Sequence, residues 1–264
     1  MTLMTKLNES VTDPNLPKLG WFRVYPLEGT SSSQVCRVNV SNLDGKRVEF
    51  VGAGSLCDSE GNNVAPYNIV GSSNVPIYFK SSGGFIQIDG KYIVSFLSVS
   101  GTSYSRVNID DFAFSNLCTM LSSNYGGSYG DIKSLNGLSD NAVVLIYGAG
   151  VTGDLSSIAT KKFSRLEFRY LSGINGDLAD VPADVAAALT QSLELLGCTN
   201  LTVTAAQLGK YVNATDITMT TNGVTYSDVA DALFANGKVS GSVRIRDSST
   251  TKTCTFTSSG WTAA

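Results

Sequence analysis

Three carboxylates stand in one repeated context. Asp131, Asp154 and Asp177 each follow a glycine and precede an aliphatic residue, at intervals of 23 residues. If the intervening residues form stacked units, the three side chains align in a column about 5 Å apart, the spacing of neighbouring strands. Such a column can serve as a cation ladder. It can also act locally, each Asp accepting backbone N–H groups of its own turn as an Asx turn or helix N-cap. Calcium-binding repeats place their aspartates at nine-residue periods within Gly-rich loops. That pattern is absent here, so the turn reading carries more weight and no metal site is assigned.

Other catalytic chemistry finds little to work with. The chain contains no histidine, which removes Ser-His-Asp and Cys-His arrangements and the commonest zinc ligand. The five cysteines, Cys36, Cys57, Cys118, Cys198 and Cys254, include no C-x-x-C pair. They read as isolated buried thiols, with a bridge such as Cys36–Cys57 as the alternative. Gly45-Lys46, Gly90-Lys91 and Gly237-Lys238 lack the flanking residues of a P-loop and read as hairpin tips. The aromatic residues do not interleave with Lys or Arg, and a net charge of −3 without a basic run leaves no electrostatic footprint for nucleic acid. The chain is therefore expected to be no enzyme and to carry no cofactor.

The elements that position these residues change type along the chain. Charged residues are only 16% of the sequence, so Ser, Thr, Asn and Gly must carry the surface, which suits strands and turns. Residues 1–20 form a polar arm, expected to pack against a neighbouring subunit. From 21 to 110, short alternating strands such as 21–25, 35–40, 47–51, 85–88 and 92–96 predict an antiparallel β domain of sandwich or barrel type. Asp44-Gly45 and Asp89-Gly90 are the dipeptides that tight hairpins favour.

From 111 to 238 the 23-residue period takes over. Leu135, Ile158 and Val181 share one position, Val143/Leu145 and Leu166/Phe168 a second, Val151 and Ile174 a third. A later unit carries about four extra residues in its Ala-rich stretch at 182–189, then resumes with Leu193, Leu195 and Leu201. A degenerate unit with Ile217, Met219 and Val224 follows, and 239–264 reads as a terminal β-hairpin cap. The fold class expected is α+β, mostly β: a β-sandwich or barrel-like domain followed by a short leucine-rich-repeat-like solenoid with that cap. Alternation puts Val144/Ile146, Glu167/Arg169, Glu194/Leu196 and Thr218/Thr220 opposite the core. Ile146, Glu167, Arg169, Glu194 and Leu196 are thus the candidate partner-contact face. Glu167 and Glu194 would be neighbours, which is unfavourable unless Arg169 lies diagonally between them. The plainer reading is a solvated face with one ion pair of small value.

The segment LELLGCTNLT at 193–202 resembles the core of cysteine-containing leucine-rich repeats. The resemblance implies that the two Leu positions point inward from a parallel strand. Cys198 then turns the chain while satisfying backbone groups, and Leu201 buries under the next strand. Gly148 and Leu171 depart from that pattern where Cys or Asn is expected. The whole arrangement, with repeats like TGDLSSI at 152–158 and an end reading TFTSSGWTAA, resembles short repeat proteins of phages of gut Bacteroidetes, including capsid-attached head fibre proteins of crAss-like phages. What this implies is a virion location on the capsid surface and a homo-oligomer, trimer in preference to dimer, beside other capsid proteins, without catalysis. No apolar leader is present at the N-terminus and no stretch of about 18 apolar residues occurs, so neither secretion by signal peptide nor a membrane partner is expected. The alternative is a receptor-binding or adhesin module of a phage tail or bacterial surface, using the repeat face for glycan or protein.

Overall fold

A computed structural model describes residues 21–89, 96–103, 105–114, 120–124, 128–148, 150–179, 181–220 and 223–264. The expected arm, the Gly90-Lys91 turn and Cys118 lie outside the described residues. The fold is α+β and mostly β. Seven strands come first: β1 (Trp21–Pro26), β2 (Cys36–Ser41), β3 (Arg47–Val51), β4 (Gly54–Cys57), β5 (Tyr67–Asn68), β6 (Val75–Ser81) and β7 (Phe85–Asp89). Longer and shorter strands then alternate. These are β8 (Phe96–Ser103) and β9 (Ser105–Asn108), β10 (Met120–Asn124) and β11 (Ser128–Asp131), β12 (Ala142–Tyr147) and β13 (Gly150–Asp154), β14 (Phe163–Arg169) and β15 (Gly173–Asp177), and β16 (Ser192–Leu196) and β17 (Leu201–Thr202). The series ends with β18 (Asp216–Met219), β19 (Ser242–Arg246), β20 (Thr251–Thr257) and β21 (Gly260–Ala263).

Two sheets take up these strands. A twelve-stranded sheet runs β21-β20-β19-β18-β16-β14-β12-β10-β8-β2-β6-β4, and a nine-stranded sheet runs β17-β15-β13-β11-β9-β1-β7-β3-β5. The strands from β8 to β19 in the first sheet and from β9 to β17 in the second pair in parallel. β1 joins β9, and β2 joins β8, antiparallel. Both sheets therefore cross residue 110, and the boundary expected there has no counterpart in them. Inward side chains of both sheets contribute to one continuous core, from Phe22 and Val38 to Ile245 and Phe256. Leu193, Leu195, Cys198 and Leu201, the positions singled out at 193–202, are all buried.

The Gly-Asp column works as local turn chemistry. Asp131 accepts from the Lys133 N–H, Asp154 from Ser156 and Asp177 from Ala179, each at 2.9 Å. Asp131 and Asp154 thereby cap the short 3-10 helices Ile132–Gly137 and Leu155–Ile158. The glycines have a second reason to be glycine. Gly153 has φ +122°, and a Cβ there would stand 2.6 Å from Asp131 Oδ1 of the preceding unit; Gly176 meets Asp154 Oδ1 at 2.5 Å in the same way. Only a residue without a side chain lets successive turns stack this closely.

Several expectations are corrected. Ile146 does not join the open face: it is 1% exposed, and it and Val144 pack inward opposite Phe168 and Leu166. The register shifts between Ala142 and Val143, and a one-residue slip exchanges the two faces of a strand. Asp44-Gly45 does not close a hairpin, because β2 and β3 lie in different sheets. Gly237-Lys238 follows a helix, α3 (Tyr226–Ala235), rather than forming a strand turn. The Ala-rich insertion forms α1 (Ala183–Ala187), and α2 (Ala205–Leu208) precedes β18. The expected terminal hairpin gains a third strand, β21, antiparallel to β20. Cys36, Cys57, Cys198 and Cys254 are buried and free.

Gly153→Ala should lower the unfolding free energy by about 2–4 kcal/mol, combining positive-φ strain with the collision at Asp131. Gly45 also has positive φ but faces open space, so Gly45→Ala should cost only about 1 kcal/mol. Urea denaturation of the two variants makes the comparison; equal losses would show that the stacked contact is slack.

Candidate functional site

Along β14, β16, β18, β19 and β20, the residues that alternate with the core form the open face of the long sheet. Registers place Leu145, Glu167, Glu194, Thr218, Arg246 and Thr251 in one row across six strands. A second row carries Ser192, Asp216, Arg244 and Thr253. A third carries Tyr147, Arg169 and Leu196. Of the sequence-derived candidates, Glu167, Arg169, Glu194 and Leu196 are thus brought together, and Leu145 stands where Ile146 was expected.

Glu167 and Glu194 are direct cross-strand neighbours, a repulsive pairing on its own. Arg169 resolves it. Its Nη2 lies 3.2 Å from Glu167 Oε2 and 2.7 Å from Glu194 Oε2. Arg165 donates through Nε to Glu167 Oε1 at 2.7 Å, and the Ser192 hydroxyl donates to the same oxygen at 2.5 Å. Glu167 is 3% exposed despite its place on the open face, because these partners cover it. A buried carboxylate is tolerated when paired and hydrogen-bonded, and strongly destabilising when a partner is removed. Burial pushes the Glu194 carboxyl above its ordinary range; Arg169 opposes that shift, and the neighbouring Glu167 and Asp216 charges add to it. Farther along, Arg244 Nε lies 3.4 Å from Asp216 Oδ2, and the Thr218 hydroxyl donates to Asp216 Oδ1 at 3.3 Å.

These side chains line an open groove of about 450 Å³, which also takes in Gln191, Thr215 and Arg246. A second hollow of about 410 Å³ adjoins it, lined by Thr220, Arg246 and the 247–251 turn. Arg246 is common to both. It is exposed, and among the described residues no carboxylate lies within ion-pair distance of it. Arg165, Ser192, Asp216, Arg244 and Arg246 were not singled out from the sequence. The alternation in SVRIR at 242–246, with Val243 and Ile245 inward, carried the signal for the last two.

Reactive groups elsewhere are sequestered. Burial raises the Cys36 and Cys198 thiols to about 11, far from a reactive thiolate at neutral pH. Cys198 instead donates to the Phe168 carbonyl at 3.5 Å. Among the described residues no group of three Asp, Glu or Cys side chains is placed to hold a metal ion, and no helix is long and apolar enough to cross a membrane. Comparison with protein-family models, curated proteins and solved structures finds no match.

Glu167→Ala removes the acceptor shared by Arg165, Arg169 and Ser192, and should cost about 3–5 kcal/mol of stability in urea denaturation; a loss below about 1 kcal/mol would mean the network is solvated. Glu194 behaves differently with pH. Its folded pKa is raised, so its contribution is full below the unfolded value and is lost as pH rises through the folded one. Glu194→Gln should therefore gain stability relative to the parent between pH 4 and pH 7. A difference that stays constant across that range would contradict the burial of this carboxyl.

Proposed function

We propose that this chain is a virion structural protein, a capsid-attached head fibre or decoration protein of a bacteriophage. The finer fold reading belongs with it: a sandwich-like N-terminal part continued by a short leucine-rich-repeat-like solenoid. The observation that carries the proposal is the unbroken passage of the twelve-stranded sheet from the N-terminal strands to β21, with the second sheet running beside it as far as β17. Twelve strands at about 4.8 Å make a stiff body roughly 50 Å long, suited to holding one end away from a surface. Its work is that of a spacer and contact surface. In the particle the chain is a homo-oligomer, trimer in preference to dimer, beside other capsid proteins.

A second reading, a receptor-binding module of a phage tail or a bacterial surface, is favoured by one observation, the open groove with its unneutralised Arg246. Light scattering of the purified chain and cryo-electron microscopy of particles test the first reading. The expected result is a trimer in solution and matching density on the capsid. A strictly monomeric chain absent from particles would overturn it.

A further inference from the structure

The charges along the open face are compensated at one end and uncompensated at the other. Arg165 and Arg169 are committed to Glu167 and Glu194, and Arg244 to Asp216. Arg246 stands in the row between Thr218 and Thr251. Glu194, two strands away in the same row, is taken by Arg169, and the diagonal neighbour Asp216 by Arg244, and among the described residues neither pairs with Arg246. Asp247, next in sequence, shares the second hollow with Arg246 but is buried and saturated: it accepts from the backbone N–H groups of Tyr226, Ser249 and Thr250 at 2.7–2.9 Å and from the Ser249 hydroxyl at 3.0 Å. The Arg246 guanidinium therefore keeps its whole fork of donors for something outside the chain, at the junction of two hollows.

The lining says what that something is. The carboxylates lining the two hollows, Glu167, Glu194, Asp216 and Asp247, are all engaged within the chain, and on the Arg246 side the lining is otherwise Thr218, Thr220, Ser248, Ser249, Thr250 and Thr251, with Leu196 the one aliphatic residue among those lining either hollow. Protein partners are anchored by aromatic or aliphatic side chains in desolvated pockets, and this groove offers no such pocket. Hydroxyls flanking a free guanidinium fit instead a ligand that is itself rich in hydroxyls and carries a planar carboxylate, which Arg grips through two parallel hydrogen bonds. We propose that the groove binds acidic glycans, with Arg246 clasping a sugar carboxylate and the Ser248, Thr250 and Thr251 hydroxyls holding the ring hydroxyls. The inference goes beyond the structural reading above and does not depend on it. Glycan binding by a chain that is not in virions, or a virion protein without glycan binding, would each be recognised separately.

The test uses the full chain in calorimetric titrations with hexagalacturonate, 3′-sialyllactose, poly-glutamate and the methyl ester of whichever glycan binds. At least one of the two acidic glycans should bind, and which one does identifies the source of the carboxylate. Its affinity should fall roughly tenfold or more in Arg246→Gln, the loss of one charge-assisted bidentate contact, with Arg246→Lys intermediate. Urea midpoints confirm that the variants fold. The ester should bind at least tenfold more weakly than the free acid to the unaltered chain, a comparison that needs no variant. The proposal is overturned if neither acidic glycan binds, if ester and acid bind alike, if Arg246→Gln binds as the parent does, or if poly-glutamate binds more tightly than either glycan.

Discussion

The stack depends on lysines that finish the backbone of the unit before them. A chain that turns three times per unit leaves carbonyl groups stranded where strands end and helices close, and buried groups of that kind must find donors. Lys161 donates its ammonium to the Leu138 carbonyl at 2.6 Å, Lys210 to those of Ala179 and Val181 at 2.9 Å, and Lys238 to Val212 at 2.6 Å. Each lysine opens the run into the next long strand and reaches back across the unit boundary. Asn200 and Asn213 do similar work on the Ser172 and Ala187 carbonyls. A charged donor makes a stronger hydrogen bond than a neutral one. Part of each unit's polar satisfaction is thus supplied by its successor, so the units hold as a series, and the last needs a different ending. Here α3 packs on β19, β20 and β21, and Asp247 ties the β19–β20 turn to the α3 N-terminus.

Once the spacing between units is held on that side, the open face inherits it. Parallel strands in strict register bring equivalent residues opposite each other, and the sequence puts glutamate at that place in two successive units. The cost of opposing Glu167 and Glu194 is offset by Arg169, whose guanidinium spans both, and by Arg165 and Ser192 on the far oxygen of Glu167. The Tyr147 and Tyr170 rings, 5.2 Å apart and edge to face, flank the same region. Tyr170 holds φ +57°, an uncommon conformation for an aromatic residue, and its ring lies over Gly197, where a Cβ would meet Tyr170 Cδ1 at 2.6 Å. The left-handed turn after the strand recurs at Gly148, Tyr170 and Gly197.

Much of this was legible in the residues, and the failures have physical causes. The 23-residue period exposed the unit length because the same buried positions recur; Leu135, Ile158 and Val181 all line the core. The Gly-Asp turns were legible because both residues have local duties. The Glu167–Arg169–Glu194 arrangement followed from alternation, since charge marks the outward side. AVVLIY at 142–147 gave no such mark: every residue is apolar, so period two could not say which side faced inward, and Ile146 was placed on the wrong one. The helix α3 was missed although Thr225 and Asp228 form a capping box and Gly237 follows its end; the Asn-Gly-Lys run was read as a strand turn. Continuity of the sheets across residue 110 could not be read at all. It depends on β1 and β2 pairing with β9 and β8 over more than fifty residues of chain, and local pattern carries no record of such partners.

The asymmetry of the open face follows from one substitution within the repeat. Glu167 and Glu194 occupy the central row in β14 and β16, and Thr218 takes the same place in β18. A third carboxylate at Thr218 would have stood beside Arg246 on the adjoining strand, as Glu194 stands within reach of Arg169, and the network would have closed on itself. Threonine supplies a hydroxyl without charge, and that hydroxyl is donated to Asp216. The arginine beyond it is left with solvent. The antiparallel strand on its other side brings Thr251 in the same row, again without charge. The sheet therefore changes character between β16 and β19: its middle is internally neutralised, and its C-terminal end presents a cation among hydroxyls.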